Sequence, residues 1–321
     1  MINAQIYQPK VSILIPVFNR KEFIAECIKS ALNQTFTNFE IIVVDNASND
    51  GTWEICKQFS ETDQRVRIFR NDKNIGPVRN WIRCAKEAKG SFSKILFSDD
   101  CLEPNCLNEM VPMLDNADVA LVYCAASVGK SKEGSTIYYS QAGSSRLTSA
   151  QFLNLILSKI APVSPGAALI RTADLIRNLH FQFPTSTQRN FDKNGAGPDV
   201  MCLLLTAREY LHVAHIPKPL VFFRSHSGSF TVNNVQNDVT KGYRSAIAFY
   251  LIRNHSRELW VDYLSYGWWK EIKSEGAWIC PSDYLSEYEG SGSLSEVLSM
   301  LTIIFRRLVD KVLGNKHIFI K

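Results

Sequence analysis

Long apolar runs are missing from this 321-residue sequence. Nowhere do about 18 consecutive apolar residues occur, which is the length that a bilayer-spanning helix needs. The first apolar run, Val11 to Phe18, is too short and too rich in β-branched residues to be the core of a signal peptide, and no small-residue cleavage site follows it. We therefore expect a cytoplasmic protein, at most docked at the inner face of a membrane.

Cysteine pairs with a redox or zinc-binding spacing are also missing. The eight cysteines include no C-x-x-C pair, and they are scattered through segments that have the patterns of helices and strands. We interpret them as reduced, small residues of the core. They are Cys27, Cys56, Cys84, Cys101, Cys106, Cys124, Cys202 and Cys280.

A strong excess of one charge is absent as well. The 36 Lys and Arg residues and 31 Asp and Glu residues give a formal net charge of +5, which mildly favours phosphate-bearing partners or anionic surfaces. The balance alone identifies no partner, and we expect no nucleic-acid partner.

Two phosphate-binding motifs are not found where they would be needed. A dinucleotide-binding chain needs G-x-G-x-x-G after its first strand, but Pro16 to Lys21 reads PVFNRK. The segment Cys124 to Ser131 (CAASVGKS) resembles a P-loop but lacks the first glycine, and Glu133 to Tyr139 has the pattern of a turn and a strand rather than a helix. Neither a dehydrogenase nor a P-loop protein is therefore predicted.

Apolar strand patterns alternate with helical patterns in the first hundred residues. With 45% hydrophobic residues, the chain has enough apolar side chains for a substantial core. The predicted strands are Val11–Val17, Glu40–Asp45, one near Val66, and Lys94–Phe97, and the helix after the last of them is predicted to start near Pro104. This alternation predicts an α/β fold in which helices cover both faces of a mostly parallel sheet.

Four loops follow the carboxyl ends of these strands, where open sheets of this kind bind their ligands. They are residues 18–21, 45–51, 70–79 and 98–103. Three of the loops carry a polar or charged group directly after the strand, and the fourth carries the adjacent carboxylates Asp99 and Asp100. Adjacent carboxylates at a strand end can hold a divalent cation that bridges a diphosphate, although each loop also fits an ordinary solvated turn.

The pattern changes after Tyr210. His212 to Phe223 is predicted to be a strand, and its prolines, Pro217 and Pro219, favour a place at the edge of the sheet. Beyond it the pattern is mainly helical. We therefore divide the chain into residues 1–235, an α/β domain, and residues 236–321, a helical C-terminal extension.

Several ordered motifs resemble the family 2 glycosyltransferases. They are PKVSILIPVFNR, SALNQTFTNFEIIVVDNASNDGT, NIGPVRN and ILFSDDCLEPN, followed by GAALIR, GPD and PKPLVFFRSHSGS, and together they span the chain to about residue 229. The resemblance implies a GT-A fold and an inverting enzyme. Such an enzyme transfers a sugar from a nucleotide-diphosphate sugar to a hydroxyl of a glycan or lipid-linked acceptor, with Mn²⁺ or Mg²⁺, in the synthesis of a polysaccharide, lipopolysaccharide or glycoconjugate.

The resemblance assigns residues to the donor site. Pro16, Phe18, Asn19 and Arg20 fall in the first donor loop, Asp45 falls at the position that hydrogen-bonds the base, and Lys73 and Arg79 are basic candidates of the third loop. Phe18 offers a flat apolar surface to a base, while a strand-end carboxylate can accept from a base N–H. The alternatives are a core aromatic for Phe18, a turn residue for Asp45, and a solvated basic face for the other two.

The metal and diphosphate motifs are assigned in the same way. The family pattern D-x-D has Phe97 at its first acidic position here, but Ser98-Asp99-Asp100 resembles the known S/T-D-D variant. Asp99 and Asp100 then share the ribose and metal contacts, with Ser98 beside them. In the motif R-S-H-S-G-S, Arg224 can pair with phosphate and His226 can contact phosphate or the metal.

Asp199 occupies the family's position for the catalytic base, at the start of a predicted helix. A carboxylate there can remove the proton of the acceptor hydroxyl as that hydroxyl attacks the sugar. Many members have Glu-Asp at this point, whereas this chain has Pro198 before Asp199, and a helix N-cap is an equally consistent interpretation.

The extension has two conspicuous segments. One is aromatic, with Trp260, Tyr263, Tyr266, Trp268 and Trp269, and the other, Leu301 to Leu313, mixes large apolar residues with arginine and lysine. Both can pack against the protein itself. The second can instead lie on an anionic membrane, which suits a lipid-linked acceptor. A catalytically silent sugar-nucleotide-binding or scaffolding protein with the same fold is the alternative to an enzyme, and Phe97 is its main support.

Overall fold

The computed structural model describes residues 8–140, 145–183, 191–229, 238–276, 278–288 and 290–312. The strands are β1 (Val11–Val17), β2 (Phe39–Asp45), β3 (Val66–Arg70), β4 (Phe92–Ile95), β5 (Cys101–Leu102), β6 (Val119–Gly129), β7 (Thr136–Tyr138), β8 (Arg146–Thr148), β9 (Ala168–Arg171) and β10 (His212–Arg224). The helices are α1 (Ile24–Leu32), α2 (Thr52–Thr62), α3 (Pro77–Glu87), α4 (Cys106–Leu114), α5 (Ser149–Leu157), α6 (Thr172–Asn178), α7 (Pro198–Ala207), α8 (Asp238–Asn254), α9 (Arg257–Glu275), α10 (Pro281–Glu287) and α11 (Leu294–Val312). Short 3-10 turns cover Pro165–Ala167 and Phe191–Lys193.

One sheet organises these elements, with the strand order β3-β2-β1-β4-β9-β6-β10-β5. The first four strands of the chain run parallel, and so do β6 and β10. Strand β9 lies antiparallel between β4 and β6 and joins the two parallel groups. The predicted β-α alternation and parallel sheet are therefore confirmed, with an antiparallel strand in the middle.

Both faces of the sheet are buried, which explains why β1 is apolar at nearly every position. Along β1, Ile13 and Ile15 face a core with α1, α2 and α4, whereas Leu14 faces a second core with α3 and α7. This alternation follows from the period of two residues in a strand. All seven residues of β1 are buried, so this strand fixes the centre of the fold.

The prediction that the strand with two prolines lies at the edge of the sheet is wrong. Strand β10 pairs with β6 on one side and with β5 and β8 on the other. Its register against β6 shifts between Ile216 and Pro219 and again between Pro219 and Val221. Prolines are tolerated inside a sheet at such irregularities, because no regular ladder bond is required there.

Three smaller expectations also differ from the structure. Strand β4 ends at Ile95 rather than Phe97, and α4 begins at Cys106 rather than near Pro104. Seven of the eight cysteines are buried and free, as expected, but Cys280 is exposed at the start of α10 and is not a core residue.

The described part of the extension is helical and shares a core with the sheet. Ala246 of α8 and Trp260 of α9 belong to the same buried cluster as Val200 of α7 and Val44 of β2. Trp260 and Trp268 are fully buried, whereas Tyr266 is exposed, so the aromatic segment packs against the protein through its tryptophans. None of the helices in the described ranges combines the length and the apolarity that crossing a membrane requires.

Candidate active site

The first and second loops are hydrogen-bonded to each other beyond the ends of β1 and β2. Asn19 has a positive φ of 49°, a conformation that asparagine tolerates better than most residues. Its N–H donates to Ser48 Oγ at 2.9 Å, and its Oδ1 accepts from the Asn49 N–H at 3.0 Å. Pro16 lies just before this junction, beyond Leu14, the last residue of β1 that pairs with β4. A residue without an N–H fits there.

Phe18 and Asp45 flank this junction. The Phe18 side chain is 39% exposed, so it is not the core aromatic of the alternative interpretation. Asp45, the last residue of β2, is fully buried, and its carboxylate accepts hydrogen bonds from the Ser48 N–H at 3.2 and 3.3 Å. Burial raises the pKa of Asp45. Asp45 therefore stabilises the turn after β2, as the alternative interpretation proposed. Its hydrogen bond to a nucleotide base stays a prediction.

Arg70 is a partner of Asp45 that the sequence reasoning missed. Its Nε lies 3.1 Å from Asp45 Oδ2, and its Nη2 donates to the Ser48 carbonyl at 2.7 Å. The two residues end neighbouring parallel strands, β2 and β3, and they are partners in the register of these strands. An ion pair between two such residues could have been predicted from the strand assignment.

The fourth loop brings Asp99 to the centre of a cationic cluster. Asp99 Oδ2 lies 2.9 Å from His226 Nε2 and 3.5 Å from Arg20 Nε. The Arg224 Nε–H donates to the Asp99 carbonyl at 3.0 Å. The Gly228 N–H donates to His226 Nδ1 at 3.1 Å, so the other ring nitrogen carries the proton and donates it to Asp99. The structure thus gathers four predicted residues from three separate segments.

Asp100 and Ser98 point into the protein rather than toward solvent, since both are buried. Asp100 Oδ1 accepts from the Arg224 N–H at 2.9 Å and thereby fixes the end of β10. Burial and then the charge of Asp99 raise the pKa of Asp100 well above its usual value. Of the two carboxylates, Asp99 is therefore the one that faces the cluster.

Two residues of the first helical segment hold Arg224 in place, and both were missed. Glu26 Oε2 accepts from Arg224 Nη2 at 2.7 Å, and the Phe23 ring lies 5.4 Å from the guanidinium. The same Phe23 ring lies 4.6 Å from the His226 ring. Because Glu26 is 198 positions away from Arg224, no local pattern in the sequence indicates this pairing.

Asp199 lies at the start of α7 in a different environment. Its Oδ1 accepts from the N–H groups of Gly197 at 2.8 Å and Val200 at 2.7 Å, and its Oδ2 accepts from the Tyr243 hydroxyl at 2.7 Å. The carboxyl is 4% exposed. Burial raises the pKa of Asp199 to about 7, although the three hydrogen bonds act in the opposite direction. The N-cap of α7 is Gly197, so the interpretation of Asp199 as the N-cap is wrong. Asp199 is the second residue of the helix, where it binds backbone N–H groups of the first turn and has a pKa suited to a base near neutral pH.

The two basic candidates of the third loop lie on the surface. Lys73 is exposed, and Arg79, near the start of α3, stacks over the Phe181 ring at 3.9 Å. Neither residue belongs to the cluster around Asp99, and their contact with a donor stays a prediction.

The donor atoms around Asp99 suit a divalent cation that is shared with a substrate. Within the described ranges, no three His, Cys, Asp or Glu side chains converge to hold a metal ion. Mg²⁺ is commonly held by one or two carboxylates together with substrate phosphates and water. The carboxylate of Asp99 fits such a site, with the remaining ligands supplied by a diphosphate and water. Both ring nitrogens of His226 are hydrogen-bonded, so its predicted contact with a metal requires Nε2 to release its proton and leave Asp99.

Comparison with known proteins identifies the family. The profile described as glycosyl transferase family 2 matches residues 12–178. Glycosyltransferase GlyG of Streptococcus pneumoniae is 31% identical over 112 residues, covering 35% of this chain and 37% of that protein. Chondroitin synthase of Escherichia coli is 39% identical over 106 residues, covering 32% of this chain and 15% of the synthase. The chain thus spans about a third or less of the length of these relatives.

Solved structures match over more of the chain. TarS of S. aureus superposes with a TM-score of 0.63 and 18% identity, covering 94% of this chain and 53% of TarS. A TarS fragment in complex with UDP-GlcNAc gives a TM-score of 0.56 and 16% identity, covering 96% of this chain and 93% of the fragment. At these identities the likeness establishes the fold, which is that of the GT-A glycosyltransferases. The profile covers more than half of the sequence, and the chain belongs to the glycosyl transferase family 2.

Proposed function

We propose that this chain is an inverting glycosyltransferase that transfers a sugar from a nucleotide-diphosphate sugar to an acceptor hydroxyl, in the synthesis of a polysaccharide, lipopolysaccharide or glycoconjugate. The observation that carries the proposal is the gathering of Arg20, Arg224 and His226 around Asp99 at the carboxyl edge of the sheet. We assign residues 1–235 to the catalytic domain and residues 236–321 to an extension, whose described helices share a core with that domain.

The donor binds across the first two loops and the Asp99 cluster. Phe18 offers its exposed ring to the base, and Asp45 accepts from a base N–H near Asn19 and Pro16. The guanidinium groups of Arg20 and Arg224 pair with the diphosphate, because planar guanidinium groups match phosphate oxygens well. Ser98 and Asp100 support the loop, and Lys73 and Arg79 add positive charge at its rim.

The chemistry divides between two carboxylates. Asp99, together with His226 once its Nε2 has released its proton, would hold a Mn²⁺ or Mg²⁺ ion, with Asp100 behind them, and the ion would supply positive charge to the departing diphosphate. Asp199 accepts the proton of the acceptor hydroxyl as that oxygen attacks the anomeric carbon. Attack from the side opposite the diphosphate inverts that carbon, and Arg20 and Arg224 stabilise the charge that gathers on the leaving group.

Phe97, the main support for a catalytically silent protein, has a packing role. Its ring lies 5.3 Å from the Trp81 ring, and a Cβ on Gly166 would come within 3.2 Å of it. A carboxylate at this position would be surrounded by apolar atoms and would cost free energy. The missing acidic residue therefore reflects this local core and does not argue against activity.

The experiment that tests the proposal is a panel of nucleotide sugars with Mn²⁺ or Mg²⁺. UDP-sugars lead the panel because the TarS fragment of the same fold was solved with UDP-GlcNAc. Selective donor binding should raise the melting temperature, and the bound donor should release its nucleotide in a metal-dependent reaction. Binding without any release, alongside active control enzymes, would favour the silent protein, and the absence of any binding would contradict the proposal.

For the acceptor side, we propose peripheral contact between α11 and an anionic lipid surface, which suits a lipid-linked acceptor at the inner face of a membrane. One face of α11 is packed through Met300 and Ile304, but another exposes Leu298, Phe305 and their neighbours. The exposed members are Leu294, Leu298, Leu301, Phe305, Leu308 and Val309. They recur at spacings of three and four residues, so they form one stripe along the helix.

Charge complementarity favours the lipid surface as the occupant. Arg306 is exposed beside the stripe, and the sequence continues with Lys311, Lys316 and Lys321. Basic residues next to a leucine-rich face are typical of helices that lie in an anionic interface. A leucine-rich stripe can also pair with a second copy of the chain, and the experiment must separate the two.

Vesicle flotation with the full chain tests this contact. Anionic phosphatidylglycerol vesicles should retain the wild type more strongly than neutral phosphatidylcholine vesicles, and Leu298→Ser with Phe305→Ser should abolish the retention. Leu211→Ser, which changes another exposed leucine outside the stripe, is the matched control and should bind like the wild type. Equal binding to both lipids, or a dimer in lipid-free solution that the double variant disrupts, would overturn the lipid proposal.

A further inference from the structure

Tyr243 connects the C-terminal extension to the acidic residue at the start of α7. Its hydroxyl, on α8, donates to Asp199 Oδ2 at 2.7 Å. The other carboxylate oxygen is bound by two backbone N–H groups of the α7 start. Tyr243 therefore supplies the side-chain contact of this carboxylate within the described residues, and that contact comes from outside the segment that the family profile matches.

The packing of α8 holds the Tyr243 hydroxyl at this position. Gly242 lies so close to the loop before Asp199 that a Cβ on it would come within 2.5 Å of the Ala196 carbonyl oxygen. On the other side of Tyr243, the Arg244 guanidinium forms a buried ion pair with Glu271 of α9. Lys241 Nζ also approaches Glu271, at 3.3 Å. The backbone on both sides of Tyr243 is thus fixed, and the hydroxyl has little freedom to leave the carboxylate.

The other titratable groups around this pair are neutral or already paired. Tyr139, beyond β7, faces Tyr243, and Cys202 lies one turn along α7 from Asp199. Asp174 of α6 is farther away and forms its own ion pair with Arg177. The adjacent 3-10 turn, Pro165–Ala167, has no titratable side chain. The Tyr243 hydroxyl is therefore the group best placed to control the protonation of this carboxylate.

We infer that Tyr243 is a positioning residue for the catalytic base, because its hydroxyl fixes the orientation of the Asp199 carboxylate and favours the form that accepts a proton. The inference rests on the proposed function of Asp199. It gives the extension a role in the reaction, since the residue that tunes the base lies on α8 rather than in the catalytic domain.

The physical consequence is a shift in the pH dependence of the rate. A hydrogen bond donated to a carboxylate favours its charged form, so loss of the Tyr243 hydroxyl must raise the pKa of Asp199 above its value of about 7. A larger fraction of the enzyme is then protonated and inactive at neutral pH. The donor site around Asp99 is left unchanged by this substitution.

Tyr243→Phe tests the inference, with nucleotide release from the best donor of the panel as the assay. The midpoint of the acidic limb of the kcat/KM profile should move to a pH about one unit higher. A hydrogen bond to a charged group contributes enough free energy to shift a pKa by about one unit. At pH 7 we expect kcat to fall roughly five- to tenfold while KM for the donor stays the same. Tyr250→Phe removes a buried hydroxyl from the same helix and should leave the profile unchanged.

The outcomes separate the inference from the proposed function. If Asp199→Asn abolishes release but Tyr243→Phe keeps the wild-type limb and kcat, Asp199 is the base and the role of Tyr243 is refuted. If Asp199→Asn is almost as active as the wild type, the assignment of the base fails, whatever Tyr243→Phe does. Equal shifts in the Tyr250→Phe and Tyr243→Phe variants would indicate a general effect of packing and would also refute the inference.

Discussion

Asp99 and Asp199, the two carboxylates with the main roles in the proposed mechanism, lie in contrasting surroundings. Asp99 is in contact with an arginine and a histidine, and a second arginine binds its carbonyl. Asp199 is buried, and its hydrogen-bond partners are two backbone N–H groups and one neutral hydroxyl. The same side chain is thus in a cationic setting at the sheet edge and in a neutral setting at the start of α7.

This contrast explains how two aspartates of one chain can have different proposed roles, one in binding the metal and diphosphate and the other in accepting a proton. The arginine side chains around Asp99 can pair with phosphate oxygens, which suits a carboxylate that faces a diphosphate and shares a divalent cation with it. Burial without a cation raises the pKa, which suits a group that must take up a proton near neutral pH. The comparison predicts that changes at the two carboxylates damage different steps.

The largest effect is expected from Asp99→Asn combined with Asp100→Asn. This double variant removes the negative charge that a divalent cation requires, so metal-dependent donor binding should be lost and turnover should fall about a thousandfold or more. Titration calorimetry with donor and Mn²⁺ measures the binding, and circular dichroism checks the fold. Asp72→Asn, an exposed residue of the third loop, is the control. Normal turnover in the double variant would contradict the proposed role of Asp99 and Asp100 in metal and donor binding.

Asp199→Asn should damage the chemical step alone. The amide keeps the shape and an acceptor oxygen for the backbone N–H groups but cannot take up a proton, so turnover should drop roughly 100-fold or more. Donor affinity should equal that of the wild type, which is the opposite of the result at Asp99. Turnover close to wild type at saturating donor and acceptor would make Asp199 a structural residue of the helix start.

Asp45→Ala should weaken donor binding about tenfold, because one hydrogen bond to a charged group is lost. Affinity for the acceptor should not change, since the proposed role of Asp45 is toward the base. Asp63→Ala is the matched control, because it also removes an Asp–Arg ion pair, before β3 at the opposite end of that strand. Unchanged donor affinity in Asp45→Ala would restrict this residue to its turn and to its ion pair with Arg70.

The smallest effect is expected from Gly242→Ala. The added methyl group meets the Ala196 carbonyl, so the free energy of unfolding should fall by about 1 to 3 kcal/mol and α8 should shift away from Asp199. The rate per folded molecule should fall about threefold, with donor affinity unchanged. Gly90→Ala is the control, since its methyl group also meets backbone, that of Val11 and Ser12 at the start of β1, far from Tyr243 along the chain. An equal loss of rate in both variants would show that the rate does not depend on the hydrogen bond between Tyr243 and Asp199.

Much of the sheet edge could be predicted from the sequence. The strand–loop–helix order places residues 18–21, 45–51 and 98–103 at one edge, and the structure links the first two by hydrogen bonds between Asn19 and residues 48 and 49. The cluster of Arg20, Asp99, Arg224 and His226 followed from motif order through the family resemblance. Strand ends are predictable because a parallel sheet places them all on the same side.

Contacts that depend on how a helix is oriented against the sheet could not be predicted in the same way. Glu26 reaches Arg224 and Tyr243 reaches Asp199 only because α1 and α8 pack at particular angles, which no local spacing encodes. The edge-strand prediction for β10 failed for a related reason. Proline excludes a regular ladder, but the register shifts around Pro219 that admit it inside the sheet depend on the neighbouring strand.

The most direct test of the central claim is the pH–rate profile of nucleotide release at saturating donor, for the wild type and Asp199→Asn. We expect an acidic limb in the wild type with a midpoint near pH 7, because the rate should fall as Asp199, with its pKa of about 7, becomes protonated. The variant should be slow and lack this limb. A wild-type rate without a limb between about pH 5.5 and 8.5, or the same limb in Asp199→Asn, would contradict the assignment of Asp199 as the base.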